Sequence, residues 1–168
     1  LDGLIKHNGP ILNKTKLDKI LGRNFFKNKI NFNQSPSLEA QIASISDDIA
    51  YNSHDLEDGL NAKLFTLKDI SKIPILSNLI KRHKTKIAKH SQELVLRQII
   101  REIINEMVKD VILNTNKNLK KNNIKNIKDV YKSKYPLVSF SNKMKVFDKS
   151  VKSFLKKNMY YHKNVIHK

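Results

Sequence analysis

The sequence predicts an all-α protein, a bundle of amphipathic helices, and three observations carry that expectation. Apolar residues recur three and four apart over long stretches, the spacing of one helix face. Only four Gly and four Pro occur in 168 residues, too few for the many tight turns of a sandwich or barrel. No strand-like run exceeds Leu137 to Phe140, and no internal repeat is present.

The elements follow in chain order. Leu1, Leu4 and Ile5 keep a helical spacing that Gly9-Pro10 stops. Residues 16 to 21 are expected as a short helix closed by Gly22, and residues 23 to 36 as an asparagine-rich loop. Ser35-Pro36 supplies an N-cap followed by Pro at the first helical position. Leu38, Ile42, Ile45, Ile49, Asn52 and Leu56 then form one stripe of a helix ending near Gly59. Thr66, with Asp69 three residues on, is expected to cap a short helix broken by Pro74, and residues 75 to 83 to add a turn or two.

The longest helix is expected over residues 92 to about 118, with Leu96, Ile99, Ile100, Ile103, Met107 and Val111 on one face. Residues 114 to 128 are polar and of low complexity, so they read as a frayed helix end and a loop. Ser141 is expected to cap a last helix carrying Met144, Phe147, Val151, Phe154 and Leu155.

Composition narrows the function classes. No cysteine is present, which excludes a disulfide scaffold, a thiolate metal site and a Cys nucleophile. No run of 18 apolar residues exists and no basic-then-apolar leader opens the chain, so the expectation is a soluble, cytoplasmic protein with no membrane partner. The net charge is +18, but 29 of the 33 basic residues are Lys, and Asn occurs 19 times. Arg, whose fork matches phosphates and base edges, is represented only by Arg23, Arg82, Arg97 and Arg101. The charge therefore reads first as a solvated lysine surface with weak, non-specific affinity for nucleic acid. The alternative is a non-catalytic, lysine-rich helical module that binds nucleic acid.

One window departs from this composition. Between Lys29 and Lys63 there is no Lys or Arg, yet Glu39, Asp47, Asp48, Asp55, Glu57 and Asp58 all fall there. On the helix over that window Asp47, Tyr51 and Asp55 stand at i, i+4 and i+8, along one stripe. Asp48, His54 and Asp58 flank it. From Asp47 to Asp55 the axial rise is roughly 12 Å, too far for one metal ion but about the span between a nucleotide's phosphate and its sugar. A plain solvated acidic face is the other reading of the same spacing.

The stretch from Leu38 to Leu60, LEAQIASISDDIAYNSHDLEDGL, closely resembles bacterial deoxyguanosinetriphosphate triphosphohydrolase-like proteins of the HD superfamily. The opening LDGLIKHNGP resembles a second segment of that family, in the right order. The remainder resembles, more loosely, the helical phosphohydrolase-associated region that follows the catalytic core. The resemblance thus implies that residues 1–62 end an HD catalytic core and residues 63–168 form the associated region, together the C-terminal portion of a longer enzyme. It further implies a divalent metal, Mg²⁺ or Mn²⁺, held by a His, a His-Asp pair and a later Asp. Asp47 matches that later Asp, Tyr51 would lie against the deoxyribose and Asp55 would reach its 3′-hydroxyl.

The implied reaction converts dGTP to deoxyguanosine and tripolyphosphate, in a family that forms homo-oligomers. The chain is expected to be inactive alone, because the upstream His and His-Asp ligands are missing. His54-Asp55 is not that pair, since the resemblance aligns it to the later helix. His54 reads either as a residue behind the metal ligands or a structural one, or as a direct phosphate contact, and Asp48 and Lys6 as further residues near the site. His7 either approaches the site or stabilises the Asn8-Gly9-Pro10 turn. His83, His90, His162 and His167 sit among lysines and are expected to be solvated.

Overall fold

A computed structural model describes residues 2–6, 9, 19, 22, 31–89 and 92–162. The helix expected over residues 16–21, most of the expected loop, His7, His90 and His167 lie outside them. The described residues are helical without a strand, in the order α1 (Asp2–Ile5), α2 (Leu38–Asn61), α3 (Leu67–Ile70), α4 (Pro74–Lys89), α5 (Gln92–Lys121), α6 (Ile127–Lys132) and α7 (Asn142–Leu155). A π-helical turn, Lys156–Tyr160, continues α7. The all-α expectation is met.

The chain forms two compact units, one of residues 1–46 and 113–139, the other of residues 47–112 and 140–168. Helices α2 and α5 contribute to both.

In the first unit the organising residue is polar. Gln41 is buried; its Nε2 donates to the Pro36 carbonyl at 2.9 Å, and its Oε1 accepts from the backbone N–H groups of Leu137 and Val138 at 2.8 and 3.0 Å. One side chain thereby closes an irregular, buried backbone that has no ladder partner of its own. The cap of α2 is Ser37, whose Oγ accepts from Ala40 N at 3.3 Å, so the helix starts two residues later than Ser35-Pro36 suggested. Ser35 instead donates its backbone N–H to the Tyr131 carbonyl. Lys6 is 1% exposed and places Nζ 6.0 Å from the centre of the Tyr131 ring.

The region expected to fray is ordered. Helix α5 runs to Lys121 and closes with Asn123 at φ 51°, where Asn123 N donates to Lys120 O and Ile124 N to Leu119 O. Asn114 and Asn118, one turn apart, donate to the carbonyls of Ser139 and Leu137. Asparagines that look like low complexity are thus anchors for a returning segment. Asn126 and Asp129 then form a capping box on α6, a helix the sequence pattern missed.

In the second unit α2 buries Ile49, Asn52, Ser53 and Leu56. The apolar stripe expected from Leu38 is therefore buried only in part, because Ile42 is half exposed. Asn52, Ser53 and Leu56 meet Ile103 and Met107 of α5 and Phe147 and Val151 of α7 around a gap too small for water. All six expected positions on the α5 face are buried, as are Met144, Phe147, Val151 and Leu155 beneath the Ser141 cap. The α2 helix ends on Lys63 at φ 56°, with Lys63 N bonded to Leu60 O and Leu64 N to Gly59 O. Gly59 is required there because the Phe65 ring occupies the space a Cβ would need. That ring also packs edge-on against Phe154, 4.9 Å between centroids.

Thr66 and Asp69 form the expected capping box. Pro74 does not merely break the chain: it opens a 16-residue helix, at the first helical position where a missing N–H costs nothing. His83 on that helix is buried rather than solvated, its Nε2 2.8 Å from Glu102 Oε1. Burial alone would raise the Glu102 carboxyl, but hydrogen bonds from Gln98 and His83 hold it below the ordinary range.

Candidate functional site

The solvent-facing side of α2 in the second unit carries Asp47, Asp48, Tyr51 and His54, all exposed, with Asp55 half-buried. The helix can present them because its other face, Ile49, Asn52, Ser53 and Leu56, is fixed in the core. Rotation of the stripe is thereby prevented without using any of the exposed side chains.

Two residues from the end of the chain reach this face. Tyr160 donates its hydroxyl to Asp55 Oδ2 across 105 residues of sequence. It stands on the π-helical turn after α7, where Tyr161 N bonds back to Lys156 O. The extra residue in that turn re-aims the side chains that follow α7. Partial burial of Tyr160, then its hydrogen bond to Asp55 and the charges of Asp55 and Tyr51, push its phenol up to about 12. Tyr51, Asp55 and Tyr160 are thus one electrostatic group.

Lys152 lies 3.2 Å from Asp48 Oδ2 and 3.1 Å from Asp148 Oδ2, and Asn52 Nδ2 donates to Asp148 Oδ1 at 2.7 Å. Burial would lower the Lys152 ammonium, yet the two carboxylates outweigh it and hold the pKa above its ordinary value. Asp48 is consequently paired, and a cation stands beside the residue next to Asp47. Asp47 itself has no partner among the described residues. Glu57 faces Arg97 at 3.9 Å. Three of the six acids in the lysine-free window therefore meet a partner from a distant element.

Among the described residues no three His, Asp or Glu side chains converge on a common point that could hold a metal ion. Asp47 can offer carboxylate oxygens, which suit a hard cation, but by itself it does not make a site. Lys6 belongs to the first unit. Tyr160 and Lys152 were not evident from sequence, since no local spacing links them to α2; the adjacent pair Tyr160-Tyr161 was the available signal.

The raised phenol gives a direct check. Below about pH 10 the Tyr160 hydroxyl is protonated in folded and unfolded chains alike, so the contact contributes in full. Between about pH 10 and 12 the unfolded chain loses that proton first, and the contribution declines. Ultraviolet titration of the folded protein should show one late-ionising tyrosine that disappears in Tyr160→Phe. Unchanged titration in that variant would contradict the contact.

No family model matches the chain. Individual proteins do. It is 49% identical over 166 residues to a Pelagibacter ubique protein named deoxyguanosinetriphosphate triphosphohydrolase-like protein, covering 99% of this chain and 45% of the relative. Proteins of the same name from Bartonella tribocorum and Bartonella henselae are 35% and 37% identical, over 99% and 100% of this chain and 42% and 43% of theirs. The chain spans less than half the length of these curated relatives. Identity that extends through α5, α6 and α7, well beyond the two blocks that carry the resemblance, identifies the chain as a homologue of the deoxyguanosinetriphosphate triphosphohydrolase-like proteins.

Proposed function

We propose that the chain is part of a metal-dependent deoxynucleoside triphosphate triphosphohydrolase, supplying one metal ligand and one wall of the nucleotide pocket. The observation that carries this reading is the division of the acidic face: Asp55 is engaged by Tyr160 and Asp48 by Lys152, while Asp47 has no partner among the described residues. An unpaired exposed carboxylate is ready to ligate Mg²⁺ or Mn²⁺ without first breaking a contact. Such a metal, completed by ligands outside this chain, would supply an activated water and neutralise the attacked phosphate. Lys152 is held between Asp48 and Asp148 at the same end of the helix and offsets part of the negative charge beside Asp47.

At the other end the sugar would meet Tyr51 and Asp55. Asp55 retains Oδ1 to accept from a 3′-hydroxyl while Oδ2 holds Tyr160, so the tyrosine fixes the carboxylate for the sugar. His54, between these ends and exposed, stands behind the metal ligands or plays a structural part, or else contacts a phosphate directly. The substrate class is a deoxynucleoside triphosphate, with dGTP named by the relatives.

The chain alone should bind Mn²⁺ weakly, because one carboxylate leaves the ion largely hydrated. Paramagnetic broadening of amide signals on titration should centre on Asp47 and weaken toward Asp55, and Asp47→Asn should abolish that centre. Equal broadening around all the exposed acids would contradict the assignment.

A further inference from the structure

On the second unit, away from the Asp47–Asp55 stripe in sequence, lies an open groove of about 760 Å³ between the α3–α4 connection and the end of α7. That volume is within the range of small-molecule sites. Its walls divide chemically. Lys72 comes from one side, and Lys149 and Lys157 from the other. Ile73, Val146 and Phe154 make an apolar strip, and Val146 is 67% exposed although nothing polar requires it there. Ser153 and Asn158 add polar groups at the same wall.

Among the described lining residues Asp69 is the one carboxylate; it stays charged, faces Lys72 and is held in place by a local cap. Its Oδ2 accepts from both Thr66 N and Thr66 Oγ1 in the α3 capping box. No ion pair to Lys149 or Lys157 occurs among the described residues. The face of α7 toward the groove, Val146, Lys149, Ser150, Ser153 and then Lys157, keeps helical spacing and contains no acid. A concave surface whose described lining sets three lysines from two walls against one carboxylate, beside an apolar strip, is net positive and matches a ligand with several anionic oxygens at one end.

We infer that this groove binds the oligophosphate group of a small phosphorylated molecule, a site separate from the stripe on α2. The lysines receive the phosphate oxygens as point charges, and the apolar strip receives whatever ring the phosphates carry. A nucleoside triphosphate and free tripolyphosphate share this chemistry, and only the first would use the strip.

Isothermal titration of the protein in the presence of a metal chelator tests the inference, with tripolyphosphate and adenosine triphosphate as the two probes. Chelation removes any metal-dependent binding at Asp47, so the result does not depend on the proposed reaction. Saturable binding of tripolyphosphate is expected, weakened at least about tenfold in Lys149→Ala/Lys157→Ala, since each lost bond to a charged group is worth about that factor. It should be unaffected in Lys109→Ala/Lys117→Ala, which removes the same charge from exposed positions outside the groove. All four positions are exposed, and circular dichroism checks that both variants fold. Tighter binding of adenosine triphosphate, with the gain lost in Val146→Ser, would identify a nucleotide as the occupant; equal affinity of the two probes would identify free oligophosphate. Equal weakening by both double variants, or no saturation, would overturn the site and leave only a diffuse lysine surface.

Discussion

Asp47→Ala is expected to abolish nucleotide hydrolysis in an assembly that supplies the remaining metal ligands, for every deoxynucleoside triphosphate tested. The carboxylate is exposed and has no partner among the described residues, so its removal orphans none of them and should not disturb the fold. The neighbouring α2 face, Ile49, Asn52, Ser53 and Leu56, continues to anchor the helix. If Asp47 is the proposed ligand, its loss would remove the fixed geometry on which water activation depends, so the effect should be complete and not graded. The measurement is tripolyphosphate release with thermal unfolding as the control. Activity within about tenfold of the parent, a difference of only about 1.4 kcal/mol, would remove Asp47 from the metal site.

The largest stability effect is expected in the first unit, at Gln41. Replacement by Leu preserves the bulk but leaves the backbone N–H groups of Leu137 and Val138 without their acceptor, and the Pro36 carbonyl without its donor. A buried polar group left unpaired costs about 1–3 kcal/mol, so a loss of roughly 2–6 kcal/mol is expected from the two N–H groups. Chemical denaturation of Gln41→Leu measures it. A change below about 1 kcal/mol would mean that water replaces the side chain and that Gln41 does not organise the unit.

Helix type and the core faces were legible because they rest on periodicity. The α5 stripe from Leu96 to Val111 and the Ser141-capped α7 appear where the spacing puts them. Features that rest on single side chains reaching far along the chain were not legible. Asn114 and Asn118 read as low complexity because their acceptors are some twenty residues away, at Leu137 and Ser139. His83 read as solvated because the charge around it in sequence is lysine, while its actual neighbour is Glu102 on the next helix. At the candidate site the lysine-free window and the resemblance both fall on α2, and the resemblance singles out Asp47, Tyr51 and Asp55. Neither pointed to Tyr160, whose bond to Asp55 depends on a π-helical turn that no hydrophobic pattern encodes.

The proposed division of labour along α2 puts the metal at Asp47 and the sugar at Asp55. It is tested most directly by comparing the parent and Asp55→Asn on dGTP and on its 3′-deoxy analogue, again with the remaining ligands supplied. Asparagine keeps the shape but replaces a charged acceptor, and losing a hydrogen bond to a charged group costs roughly 1.5–3 kcal/mol. The expected result is a loss of about ten- to a hundred-fold in kcat/KM on dGTP, nearly absent for the 3′-deoxy substrate, which has no hydroxyl to offer. An equal loss on both substrates would show that Asp55 does not read the sugar and would contradict the account.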